Sequence, residues 1–176
     1  MNVSLHEWRP GDEEAAVRWS RDQAFCLLNG WTPDLPAEQV REWWRQRGTQ
    51  AQALRMIEMD RQIVGYAEWQ GIQAGVAELG IALGDSRVWG KGVGAAAGRL
   101  MLEWAFGSLD FHMVWAEVHE PNARSLALMK KLAFSEIGRK GIEEYQGQMV
   151  PMVQFELSRR TFLNGFRPLT NVDDLV

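Results

Sequence analysis

The sequence predicts an α/β domain, in the sense of an α+β arrangement around one mixed sheet of about six or seven strands with helices on both faces. Three observations predict it. Between residues 53 and 83, three apolar runs are separated only by short turns, which is the pattern of an antiparallel meander. From Val76 onward, strand and helix patterns alternate, which calls for crossover connections. The 176 residues, 46% hydrophobic and 24% charged, suit one domain with a sizeable core. That domain is expected over residues 1–160, with 161–176 as a C-terminal tail or partner arm.

Each element has its own signal. Residues 2–8 alternate apolar and polar side chains as a strand does. Pro10-Gly11-Asp12 is a turn able to start a helix, with Asp12 or Glu13 at its positive end. Ala15, Ala16, Trp19 and the run 23–27 keep helical spacing until Asn29-Gly30 stops it. After a loop over 31–36, a second helix is predicted from about 37 to 47, ended by Gly48, with Val40, Trp43 and Trp44 as its apolar stripe. Runs 53–59 and 63–69, split by Asp60-Arg61-Gln62, read as a hairpin, and a turn over 70–75 leads into a strand over 76–83. A helix over 95–106 places Ala97, Leu100, Met101 and Trp104 on one face and ends at Gly107. A strand (112–118), a helix (122–132) and two strands (134–139 and 149–157) complete the order.

Composition excludes several classes. A net charge of −4 and a pI near 5.4 offer no nucleic-acid footprint. No apolar run approaches the roughly 20 residues that span a bilayer, so no membrane partner is expected. The first residues show no basic stretch followed by an apolar core. The single cysteine, Cys26, cannot form an internal disulfide and sits in an apolar run, which fits a buried thiol and a cytoplasmic protein. The 9 tryptophans are expected to pack the core or border a groove; Trp31, Trp43 and Trp44 fit either role.

The stretch Trp89-Gly90-Lys91-Gly92-Val93-Gly94 stands between a strand and a helix. Glycine lets a backbone approach an anion closely, and the first turn of a helix has N–H groups without intrahelical partners. Lys91 adds a charge beside them. The segment lacks the Gly-Lys-Ser/Thr ending of an ATP or GTP loop and the Gly-x-Gly-x-x-Gly spacing of a dinucleotide turn. Structural glycines at a helix start are the bland alternative. Further on, His119-Glu120-Pro121-Asn122-Ala123-Arg124-Ser125 reads as a helix start with Asn122 as N-cap.

The two segments resemble two signatures of the GNAT superfamily of N-acetyltransferases. The first is the pyrophosphate loop, Arg/Gln-x-x-Gly-x-Gly/Ala; Gly92 and Gly94 match it, and Trp89 stands where Arg or Gln is usual. Its Trp-Gly-Lys-Gly variant resembles the branch of ribosomal-protein, spermidine and aminoglycoside acetyltransferases. The second is Asn-x-x-Ser/Ala followed by a helix ending in Lys-x-Gly-Phe; Asn122, Ser125, Lys131 and Phe134 fall on it, with Ala133 in place of glycine. The resemblance covers residues 53–157 and, more loosely, the N-terminal part.

It implies the acyl-CoA N-acyltransferase fold, acetyl-CoA as cosubstrate, and direct attack of a primary amine, on a small molecule or a protein N-terminus, on the thioester. It also implies a homodimer as a possible assembly. The pyrophosphate falls to Trp89, Gly90, Lys91, Gly92, Val93 and Gly94. The pantetheine falls to the strand backbone at Ile81, Ala82 and Leu83, beside a V-shaped gap near Gly80, with Asn122, Ser125 and Lys131 as further contacts. The attacking amine must lose a proton, for which Glu78 is the first candidate, Glu117 the second and Glu68 the third, each also readable as a carboxylate paired with Arg or Lys. His112 and His119 are lesser candidates. For the leaving thiolate many members carry a tyrosine one turn before the Lys-x-Gly-Phe end; Met129 stands there, so Ser125 or Tyr145 is expected to donate. The same departure supports an alternative, a CoA-binding sensor or interaction module without turnover.

Overall fold

The computed structural model describes residues 1–51 and 53–165. Strands β1 (Val3–His6), β2 (Leu54–Met59), β3 (Gln62–Gln73), β4 (Val76–Leu83), β5 (Met113–His119), β6 (Ser135–Tyr145) and β7 (Gln148–Ser158) form one seven-stranded sheet in the order β1-β2-β3-β4-β5-β7-β6. β4 and β5 run parallel, and the other neighbours are antiparallel. Helices α1 (Glu13–Trp19), α2 (Gln23–Asn29) and α3 (Ala37–Gln50) precede the meander. Helix α4 (Val93–Gly107) makes the crossover from β4 to β5, α5 (Ala123–Lys131) links β5 to β6, and α6 (Arg159–Gly165) follows β7. Among the described residues no helix is long and apolar enough to cross a membrane.

The period of two in a strand sorts its side chains between the two faces. Ala77, Leu79, Ile81 and Leu83 of β4 join the core beneath α4 and α5, with Ala97, Met101, Met129 and Leu132. Ala82 joins a second core on the opposite face, with Ala16, Trp19, Phe25 and Trp44 from α1, α2 and α3. Glu78 shares the parity of Ala82 and so points to that second side.

The structure departs from the predicted elements where a polar or glycine residue serves packing rather than punctuation. The single helix predicted after Pro10 is two, because Asp22 adopts an extended conformation and caps α2, its Oδ1 accepting from Phe25 N at 3.0 Å. Its Oδ2 accepts from Ser86 N at 2.8 Å, tying α2 to the turn after β4. Gly48 does not end α3. It lets the Trp8 ring lie against the helix, where a Cβ would come within 2.2 Å of that ring. β6 runs on to Tyr145 as an edge strand, exposed along nearly all its length, with register shifts at Glu136/Gly138 and Arg139/Ile142. Thr161, Phe162 and Leu163 belong to α6, and Phe162 is buried against Phe106, with ring centroids 5.2 Å apart. The rest of the C-terminal segment expected as a tail or partner arm lies outside the described residues.

One irregularity in the sheet positions everything that follows. β4 pairs with β5 only from Val76 to Glu78, opposite Met113 to Trp115. Beyond that the two strands part. β4 keeps its other neighbour up to Leu83 opposite Gly65, and β5 keeps β7 up to His119 opposite Met152. Both strands therefore stay anchored while a V opens between them, and the β4 backbone beyond Glu78 offers unpaired ladder positions toward it.

Gly84, just after β4, tests how tightly the second core is set. A Cβ there would lie 2.1 Å from the Trp19 ring, and Trp19 is itself fixed among Phe25, Trp44 and Tyr66. Gly84→Ala is expected to cost about 1–3 kcal/mol and to lower Tm by several degrees. Gly107→Ala, at the end of α4 with nothing near its Cβ position, should not lower Tm. Thermal denaturation of the two variants checks this.

Candidate active site

The glycine stretch acquires its shape from backbone sign. Gly90 (φ 76°) and Gly92 (φ 84°) both occupy the left-handed region, and Gly92 is the residue from which α4 starts. A side chain there would strain the turn that aims the positive end of α4. Gly94 differs: a Cβ would meet only Leu128 and Leu83, at 3.5 Å and beyond, so its lack of a side chain serves the open space beside it rather than internal packing.

That space is a cleft of about 270 Å³. It collects the predicted Ile81, Ala82, Leu83, Trp89, Gly90, Gly92, Gly94, Asn122, Ser125 and Lys131. Two predicted residues lie apart from it. Val93 buries its side chain in the core beneath α4, and Lys91 is exposed on the solvent side of the loop, close enough to Asp85 to help hold that carboxyl below its usual range, behind the larger effects of the Arg87 hydrogen bond. Trp89 does more than replace a cation. Its Nε1 donates to the Leu83 carbonyl at 2.8 Å, locking the loop to the end of β4. The Arg124 guanidinium stacks 3.9 Å above its ring. Arg124 was not singled out by the sequence reasoning, although a basic residue in the first turn of the Asn122-capped helix was there to be read. Asn122 caps α5 through its Oδ1, which accepts from Ser125 N at 3.1 Å. The charged residues lining this cleft are Arg124 and Lys131, both cationic.

A second cavity, of about 820 Å³, opens from the same V and shares Leu28, Asn29, Ile81, Asn122, Ser125 and Leu128 with the first. Its charges are reversed. Glu78 from β4, Glu117 from β5, and Glu143 and Glu144 from the β6–β7 hairpin line it, and among the described residues no lysine or arginine does. Glu78 has no ion pair or hydrogen bond among the described residues. Burial, reinforced by Glu117, Glu143 and Glu68, pushes its carboxyl above the usual range. Glu117 accepts from Gln154 Nε2 at 2.7 Å.

The remaining candidates separate clearly. Glu68 is engaged by Arg47 at 2.5 Å and by Gln70 at 2.7 Å, and does not line the cavity. His112 is exposed and lines neither space. His119 lines the larger one, stacked on Tyr145 with centroids 4.7 Å apart and 3.7 Å from Glu143. Met129 presents a buried thioether to the same space, and Ser125 reaches both. Of the tryptophans, Trp31 lines the larger cavity, Trp44 is wholly buried in the core, and Trp43 lies half-exposed against Trp31 but outside the cavity.

A family model described as "Acetyltransferase (GNAT) domain" matches residues 2–135. The chain belongs to the GNAT acetyltransferase family. Named relatives agree. It is 30% identical over 89 residues to an uncharacterized N-acetyltransferase p20 of Bacillus licheniformis, a match spanning 50% of this chain and 49% of that one. It is 26% identical over 137 residues to an N-acetyltransferase 9-like protein of Caenorhabditis briggsae, spanning 75% and 68% respectively. In three dimensions this GNAT chain is similar to the Vibrio cholerae spermidine N-acetyltransferase solved with CoA and spermine. The TM-score is 0.76 at 18% identity, with 92% of this chain and 98% of that one covered. At that identity the likeness concerns the fold.

The unpaired Glu78 of this GNAT domain has a consequence for stability. Its carboxyl binds a proton more tightly in the folded than in the unfolded chain. The stability it contributes is therefore present below the ordinary carboxylate range and is lost as pH rises through its raised folded-state value. Glu78→Gln removes that loss. The variant is expected to show a higher Tm than the parent at about pH 8 and no advantage near pH 4, read from paired melting curves.

Proposed function

We propose that the chain is an acetyl-CoA-dependent N-acetyltransferase that acetylates a primary amine, on a small molecule or a protein N-terminus, by direct attack on the thioester. The observation that carries this reading is the junction of two oppositely charged cavities at the parting of β4 and β5, with a half-buried, unpaired carboxylate beside the junction. The cationic cleft suits the phosphates of the cosubstrate, held at the amides opening α4 and flanked by Arg124 and Lys131. The unpaired edge of β4 suits the amides of an extended pantetheine arm, in the manner of an added strand, with Asn122 beside it. The acidic cavity suits an ammonium group awaiting deprotonation.

In this reading Glu78 accepts the proton of the incoming amine, its raised affinity for a proton bringing it nearer the working pH, and Glu117 stands next to it as the second carboxylate. The amine nitrogen then forms its bond to the carbonyl carbon. The C–S bond breaks, the extra proton on the nitrogen ends on the departing sulfur to give the thiol, and the Ser125 hydroxyl, at the junction of the two spaces, hydrogen-bonds that sulfur. That a protein of the same fold is a spermidine N-acetyltransferase accords with an amine acceptor. The single buried cysteine accords with a cytoplasmic setting. Met129 favours a second reading, CoA binding without turnover, because a buried thioether donates no proton to a leaving thiolate.

Thermal shift with acetyl-CoA, and ATP as control, is the first test. At 100 times its dissociation constant a specific ligand adds about 2.7 kcal/mol, several degrees for a domain of this size. Gly94→Asp is expected to abolish the acetyl-CoA shift, since the new carboxylate enters the anion-binding cleft without disturbing the core; an undiminished shift removes the loop assignment. Glu78→Gln is expected to lower amine-dependent thiol release at neutral pH by about 10-fold or more while acetyl-CoA still binds. Undiminished release moves the base to Glu117, and binding with no release from the parent protein under any amine supports the sensor.

A further inference from the structure

The acidic cavity is larger than one reacting nitrogen requires. An ammonium group is about the size of a water molecule, whose share of the liquid is about 30 Å³, against a space of about 820 Å³. That leaves room for more of an acceptor than its reacting nitrogen, and the lining indicates which chemistry would be favoured there. The carboxylates come from two places: Glu78 and Glu117 from strands at the V, Glu143 and Glu144 from the last residues of β6. Glu144 has no ion pair among the described residues. Glu143 faces His119 at 3.7 Å, a cation only when that imidazole is protonated. The two groups sense one another, since Glu143 is among the charges acting on Glu78.

Two further features point to an occupant. Tyr145 is nine-tenths buried and lines the cavity, with its ring stacked on His119 and its hydroxyl without a hydrogen-bond partner among the described residues. That hydroxyl reaches accessible surface and is free to donate to or accept from a molecule in the cavity. Trp31 lines the same space and offers an aromatic face, which attracts cations. A monoamine bound at Glu78 would leave the hairpin carboxylates and the Tyr145 hydroxyl unmatched.

We infer that the acceptor is an amine with at least two positive charges, its reacting nitrogen between Glu78 and Glu117 and its distal cation held by Glu143 and the Tyr145 hydroxyl, with Glu144 adding negative charge at the same end of β6. The inference rests on the transferase reading above and adds the second charge to it. A protein N-terminus without a neighbouring basic group falls outside this class.

The test compares two acceptors that share a six-carbon chain and differ in the second ammonium, hexylamine and 1,6-diaminohexane, in thiol release from acetyl-CoA by the full chain. The expected result is a kcat/KM for the diamine about tenfold above that for the monoamine, shrinking as ionic strength rises. In the double variant Glu143→Gln, Glu144→Gln the ratio is expected to fall to about twofold or less. Because both amines are measured on the same protein, the ratio is insensitive to loss of folded material. Equal use of the two amines by the parent, or an unchanged ratio in the double variant, overturns the second-cation site while leaving the transferase reading intact. No release with either amine, nor with any other, overturns both.

Discussion

The structure depends on a sheet that is forbidden to close. Parallel neighbours normally continue their ladder for the length of the shorter strand, yet β4 and β5 share only three residue pairs. What keeps them apart is loyalty to other partners: β3 holds β4 to its end, and β7 holds β5 to its end. Backbone polar groups on the inner sides of the V are left for another molecule to satisfy. The crossover helix starts beside the same opening, so its positive end, the free strand edge and both cavities converge on one line. Helices pack on both faces of the strands that form the V.

The carboxylates illustrate how a fold separates paired from unpaired groups. Glu68 and Glu78 are near neighbours across β3 and β4, on the same face. Glu68 is drawn to Arg47, whose guanidinium is itself held among Trp43, Trp44 and Tyr66. Glu78 is given no cation, only further carboxylates and partial burial. That arrangement opposes folding at neutral pH and is of the kind proteins retain where chemistry requires it. The cationic side is arranged with similar economy: Trp89 braces the loop through the Leu83 carbonyl while its ring face holds Arg124 at the mouth of the cleft.

Much of this was legible in the sequence because it rests on local signals. The span of β4, the glycine loop, Asn122 as a cap and the alternation of elements in the second half follow from periodicity and turn chemistry. What was not legible depends on contacts between distant segments. Asp22 breaks a helix because Ser86, 64 positions away, supplies an N–H for its second oxygen. Gly48 reads as a stop but is a seat for Trp8. β6 is exposed along an edge, so it lacks the apolar alternation that announces a strand, and its reach to Tyr145 went unseen. Three glutamates on neighbouring strands could be ranked from the sequence, Glu78 before Glu117 before Glu68, but the Arg47, Gln70 and Gln154 partners that set them apart come from distant segments.

The bridge made by Asp22 has a bearing on how such a protein can change. One carboxylate carries both the start of α2, whose far end walls the acidic cavity, and the turn that leads from β4 into the glycine loop. A shift on the α2 side therefore carries the glycine loop with it, and the walls of the two cavities are tied together. The β6–β7 hairpin lies on the outermost ladder of the sheet, and its ties run to His119 and Glu120 at the end of β5 rather than to the glycine loop. The lining that Glu143, Glu144 and Tyr145 give the larger cavity can therefore change with the glycine loop left in place.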